Sequence, residues 1–257
     1  MLHLHRLPQA GFVLRGNGTT LLIDAFLSPR ADRLVPASLA PESLTGIDAI
    51  LATHEHRDHL DLIALPALAA ASPNARVIVP APIVERVAAI VGGDRVIGAT
   101  VDGEIAVRAA RVIPVPACHG VDVSDAYTFG QELSGGLHRY LGYVIDLGGV
   151  RVYHAGDTIR YDGMAERLRA LRGDIALLPI NGRSAEREAR GFVGNMDHAD
   201  AADLAAEAGI GALVPMHHDT IDGNTGSVAD LRAYVAKSHP ELKVIEIAPY
   251  CDLEWRK

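Results

Sequence analysis

The sequence predicts an α/β protein whose two strand-rich halves stack as a four-layer αββα sandwich, and three observations lead there. Short β-branched runs alternate with alanine-rich stretches of helical spacing, the pattern of an α/β chain. Hairpin-linked strands followed by strand–helix units occur in about residues 1–120 and again in about 139–257, with a loop between. The 257 residues, 49% hydrophobic and 22% charged, suit one large globular domain spanning 1–257.

Taken in order, strands are expected at Gly11–Leu14, Thr20–Asp24, Ala49–Ala52, Arg76–Val79, Ile105–Val107, Arg111–Val115, Arg139–Leu147, Val150–His154, Ile175–Pro179, Ala212–Pro215 and Lys243–Ile247. Helices are expected at Leu60–Ala71, Ile83–Val91, Gly163–Leu171, His198–Ala208 and Val228–His239, each with apolar residues three and four apart. Leu2 and Leu4 alternate with His3 and His5 as on one face of an edge strand. Residues Cys118–His138, which contain GQELSGG, read as a long surface loop, a kind of segment that often carries function.

A net charge of −8 repels phosphate backbones, so nucleic acid is a disfavoured partner. The start MLHLHRLPQAGF has no charged n-region followed by an apolar h-region, and no apolar run approaches the roughly 20 residues of a bilayer span. The expectation is a soluble cytoplasmic protein with no membrane partner; its Ala/Leu-rich helices permit a homo-oligomer. Cys118 and Cys251 are too few for a disulfide framework and read as free thiols. The twelve histidines are the unusual feature.

Polar residues recur where strands end. Asp24 closes TTLLID, His54 closes AILATH, His119 closes VIPVPACH, Asp157 follows RVYHAG, Asn181 follows IALLPI and His217 follows ALVPM. A rigid sheet positions side chains on such loops while leaving them free to act. Each has an ordinary explanation alone, as cap, turn or hydrogen-bonded core residue; their conjunction does not. His154, at the end of an apolar strand, reads as structural.

The stretch THEHRDHLD, residues 53–61, carries three histidines and two aspartates. In an extended segment His54 and His56 project to one side and can grip one cation, while Asp58 and His59 lie just beyond them. That spacing serves two metals. The HExxH protease helix is excluded, because position 58 is Asp and the segment follows a strand.

This motif, with Asp24 before it and His119, Asp157 and His217 after it, resembles the metallo-β-lactamase superfamily over nearly the whole chain. Within it, HAGDT at 154–158, LLPINGR at 177–183, GNM at 194–196 and PMHHD at 215–219 are similar to the group of the L-ascorbate-6-phosphate lactonase, a longer chain. The resemblance implies one metal site from His54, His56 and His119, a second from Asp58, His59 and His217, and Asp157 bridging both. His218 competes with His217 for the last ligand position. Asp24 would orient a ligating histidine. A carboxylate at 157, where zinc β-lactamases carry cysteine, points away from antibiotic hydrolysis.

Imidazoles and carboxylates suit Zn²⁺, Mn²⁺ or Fe²⁺, so two divalent ions of unspecified element are expected. Their shared hydroxide would be the nucleophile, with Asp58 and Asp157 as the catalytic carboxylates. No G-x-S-x-G elbow offers a serine alternative. Arg183 and Arg160 offer guanidinium forks, and Asn181 a neutral donor and acceptor, for a small anionic substrate. Asp219 reads as a supporting partner or proton shuttle. Three functions stay open: a hydrolase of lactones or small esters, a phosphodiesterase for a small cyclic or lipid phosphodiester, and a metal-free, non-catalytic module.

Overall fold

The structure, a computed structural model, describes residues 1–256. Its elements in chain order are β1 (Leu2–Arg6), β2 (Phe12–Gly16), β3 (Thr19–Ile23), β4 (Ala49–Leu51), α1 (Leu65–Ala71), β5 (Arg76–Pro80), α2 (Val84–Val91), β6 (Val96–Ala99), β7 (Ile105–Val107), β8 (Ala110–Pro116), β9 (Leu141–Leu147), β10 (Val150–His154), α3 (Met164–Leu171), β11 (Ile175–Pro179), α4 (Ala185–Ala189), α5 (His198–Glu207), β12 (Ala212–Met216), α6 (Val228–Ser238), β13 (Lys243–Val244) and β14 (Asp252–Trp255). Among the described residues no helix is long and apolar enough to cross a membrane.

Two seven-stranded sheets form, in the orders β14-β1-β2-β3-β4-β5-β6 and β13-β12-β11-β10-β9-β8-β7. Both follow one scheme. In the first, β14, β1, β2 and β3 are antiparallel neighbours and β4, β5 and β6 continue in parallel. In the second, β7 to β10 are antiparallel and β11 to β13 parallel. The halves anticipated from sequence therefore exist, but the division falls between β6 and β7, at residues 100–104, and not in the loop 120–138. The chain also returns at β14 to complete the first sheet.

Period-two patterning explains the layers. Leu14, Leu21, Ile23, Leu51 and Ile78 face the second sheet and share one core with Tyr143, Ile145, Val152 and Leu177. Their alternates Val13, Leu22, Ile50, Val77 and Val79 face outward against Leu65 and Leu68 of α1 and Val87 of α2. Met164, Leu168, Ala201, Leu204, Leu231 and Val235 of α3, α5 and α6 cover the second sheet. Asp197 and Ser227 cap α5 and α6 by accepting backbone N–H bonds. The four-layer αββα arrangement is as expected.

Local differences have physical causes. The helix expected from Leu60 begins at Leu65, because the Asp61 carboxylate accepts from the Leu27, Ser28, Ile63 and Ala64 amides and sets a turn there. Strand β13 stops at Val244, short of Ile247. Strand β1 is not an edge, because β14 lies beyond it. The short β6, which contains Gly98, the charged β14 and α4, which has no fully buried residue, carry too little periodicity to be read from sequence.

Candidate metal centre

The site forms where the carboxyl ends of the two sheets meet, the usual place for a ligand in parallel α/β sheets. Strand β3 delivers Asp24, and β4 leads into Thr53 to His59. From the second sheet, β8 leads to His119, β10 to Asp157, β11 to Asn181 and β12 to His217. Gly156, with φ +60°, is required beside Asp157, because a Cβ there would sit 2.7 Å from that of Thr53.

Two clusters result: His54, His56, His119 and Asp157 in one, and Asp58, His59 and His217 in the other, ligand atoms in each lying within 4.8 Å of one another. Asp157 touches both clusters. Its carboxylate lies 3.2 Å from His59 Nε2, 3.2 Å from His217 Nε2 and 3.6 Å from His119 Nε2. Asp58 Oδ2 lies 3.3 Å from His217 Nε2.

The hydrogen-bond network fixes which nitrogens are available. Thr53 Oγ1 donates to Asp24 Oδ2 at 2.7 Å, so it accepts from His54 Nδ1 at 3.1 Å and leaves the His54 Nε2 lone pair bare. His56 Nε2 can only donate to the Val121 carbonyl, at 2.9 Å, which leaves Nδ1 bare in the neutral ring. These two nitrogens face each other at 3.0 Å, and His119 Nε2 stands 3.2 Å from His56 Nδ1. His59 Nδ1 donates to Asp24 Oδ2 at 2.7 Å, turning Nε2 inward. His59 Nε2 and Asp157 Oδ1 are buried without a hydrogen-bond partner. Lone pairs converging without protons between them, beside unpartnered buried donors and acceptors, form a set that a cation would satisfy.

Charge separates the clusters. Burial, reinforced by the neighbouring imidazoles His59, His56 and His119, holds His54 well below the usual histidine range. Burial likewise pushes His119 down to about 3 against the pull of Asp157. In the other cluster burial is outweighed. Asp157 and Asp58 raise His217 to about 9, and Asp157, Asp24 and Asp58 raise His59 well above its ordinary value. Despite burial, His59 and His217 hold Asp58 and Asp157 well below the carboxylate range.

A family profile described as "Beta-lactamase superfamily domain" matches residues 19–218. The chain belongs to this family. Among its relatives in the β-lactamase superfamily, a UPF0173 metal-dependent hydrolase of Pyrococcus furiosus is 31% identical over 222 residues, covering 86% of each chain. Another UPF0173 metal-dependent hydrolase, of Thermococcus onnurineus, is 33% identical over 224 residues, again covering 86% of each. The fold is also that of Igni18, a metallo hydrolase of Ignicoccus hospitalis, with TM-score 0.75, 21% identity and 99% of each chain covered.

All seven residues inferred as ligands from the superfamily resemblance lie in the two clusters, and His217, not His218, is the one that does. His218 is buried nearby with Nε2 unpartnered. Asp24 supports His59 and Thr53 as expected. The candidate substrate residues, Asp219 and His154 lie outside the two clusters. Arg160 pairs with Glu207 and Asp203 on α5, away from the clusters. Asp219 accepts from the buried Arg6 at 2.7 Å and meets no ligand. Arg183 stacks over Tyr127 and lines an adjacent cavity with Asn181, whose amide is engaged by Asn224 and Asn195. His154 is structural, its Nε2 bonded to the Ala10 carbonyl at 2.7 Å.

A cavity of about 230 Å³ opens onto His56, Asp58, Asp157 and His217, with Arg30 and Arg57 on its wall and Phe192, Val193 and Ile221 supplying apolar surface. Sequence reasoning missed both arginines. Arg57 lies inside the histidine motif itself, a signal that was present; nothing local marks Arg30.

Proposed function

We propose that the chain is a metal-dependent hydrolase that takes two divalent ions and opens a lactone or a comparable small ester bearing an anionic group. The observation that supports this most is the convergence of seven buried or half-buried ligand side chains, joined by Asp157, with His56, Asp58, Asp157 and His217 at the wall of one small cavity. The cavity is below the roughly 300–1,000 Å³ of sites for drug-sized ligands, which favours a compact substrate. When bound, paired divalent ions acidify water and polarise a carbonyl.

The chain's own groups supply the rest. Asp157 holds the two ligand clusters together, and Asp24, through His59 and Thr53, fixes the tautomers that turn lone pairs inward. Arg57 gives one N–H to the Pro29 carbonyl and has no carboxylate partner among the described residues, so its guanidinium suits a substrate carboxylate or phosphate. Arg30 is pinned by Asp32 at 2.6 Å and assists from the same wall. Phe192, Val193 and Ile221 narrow access for bulk water.

The test is metal analysis followed by a hydrolysis screen of the loaded protein against sugar lactones with and without phosphate, phosphodiesters and thioesters. Near two ions per chain and turnover of anionic lactones, abolished by a chelator, are expected. Turnover confined to phosphodiesters would replace the substrate class, and a chain that takes up no metal would refute the enzyme.

A further inference from the structure

Gln9 lies between β1 and β2, has 0% exposure, and carries φ +66°, a left-handed backbone that glutamine rarely adopts. Its carboxamide ends among the second cluster. Nε2 donates to Asp58 Oδ2 at 2.8 Å and lies 2.9 Å from His217 Nε2, closing a triangle whose third side, Asp58 to His217, is 3.3 Å. The other end of the amide, Oε1, is buried without any hydrogen-bond partner.

We propose that Gln9 is a further member of the second cation site: its carboxamide turns over as an ion enters, Oε1 becomes a ligand beside Asp58, His59 and His217, and the affinity of that site is set by it. This rests on the two-ion reading above. The argument is one of lone pairs. An ion at this site must first displace the His217 Nε2 proton, and the single lone pair then exposed cannot serve both an amide N–H and the ion, so the N–H must leave when the ion arrives. Rotation by half a turn exchanges N and O in nearly the same space, presenting a neutral oxygen of the kind that divalent ions accept. It also removes Oε1 from a position in which nothing bonds it.

The backbone is built to keep the amide there. The Gln9 N–H donates to Thr220 Oγ1 at 2.7 Å, and the Gln9 carbonyl accepts from His217 N at 3.0 Å. Thr220 Oγ1 donates to Asp219 Oδ1 at 2.9 Å, and Asp219 accepts from Arg6, which is 1% exposed. Asp219, read from sequence as a supporting partner or proton shuttle, thus acts through Thr220 and Gln9. His217 is itself left-handed, φ +55°. Gln9 and His217, both left-handed, are thus held to each other by a backbone bond beside the second cluster.

The experiment is a calorimetric titration of metal-free protein with Zn²⁺ and, separately, Mn²⁺, for the wild type, Gln9→Leu and Gln9→Glu. In the wild type two unequal steps are expected. Gln9→Leu should weaken only the second step, by ~tenfold or more, and Gln9→Glu should leave it as tight or tighter. If both steps of Gln9→Leu match the wild type, or Gln9→Glu weakens the second step, Gln9 is no ligand and the inference falls alone. Should wild-type protein show a single step or none, the two-ion reading falls with it. Gln9→Glu keeps the proposal testable if Gln9→Leu fails to fold.

Discussion

The two ligand clusters are made of the same residue types and behave oppositely. His54 and His119 are held neutral, with bare nitrogens facing each other, whereas His59 and His217 are held as cations by Asp24, Asp58 and Asp157. The difference comes from carboxylate placement, not from burial, which is nearly the same for these four rings. In the first cluster bare nitrogens repel one another; in the second, ring protons neutralise the carboxylates. A metal entering the first meets no competitor, while one entering the second must displace protons and, on our proposal, turn an amide.

The sharpest way to break this contrast is Asp157→Asn, which touches both clusters. It should remove both ions and lower kcat/KM by more than the 10–100-fold typical of losing an outer-sphere partner, checked by metal analysis and steady-state kinetics. Retention of either ion would show that the bridge serves one cluster only.

Next comes pH. In metal-free protein the raised pKa of His217 contributes stability that is fully present below about 6.5 and is lost as pH rises through about 9, worth roughly 3 kcal/mol. The depressed pKa of His119 acts at the other end: stability is lost as pH falls from about 6.5 toward about 3, joined below about 3.8 by Asp58 and Asp157. Denaturant melts across pH should therefore give a maximum near neutrality, and Asp58→Asn should flatten the alkaline side while also removing its own share of the acid limb below about 3.8. An alkaline limb unchanged in that variant would remove the charge distinction.

Asp24→Asn should weaken the second ion by about 10–100-fold while the first, whose rings rely on Thr53 and Val121, loses less. Stepwise metal titration separates the two. Smaller still, Arg57→Ala should raise KM for anionic substrates about tenfold with metal content intact, and Arg160→Ala should change neither. Equal effects from these arginines would put the substrate outside the cavity described.

How much of this was legible depends on sequence distance. The motif at 53–61 packs four ligands into six residues, from His54 to His59, and could be read directly. His119, Asp157 and His217 were legible because each ends an apolar strand, and the superfamily resemblance assigned them. Gln9 was not, because its role comes from packing 208 residues away against His217, and nothing around LPQAG announces it. The surroundings of Arg160 and Arg183 were hidden for a similar reason: a guanidinium near a motif finds its carboxylate or its ring only in three dimensions. Likewise the alternation in β1 was read correctly as a strand, while its neighbour β14, more than 200 residues on, could not be paired with it from composition.

That pairing sets an order on biosynthesis. Strand β1 carries the segment that leads into Gln9, yet one flank of β1 waits for residues 252–255 to leave the ribosome. Domains generally fold as units as the chain emerges. Here the histidine motif is translated long before its sheet can be sealed, so the growing polypeptide presents imidazoles to cellular metal well ahead of the architecture that would hold an ion in place.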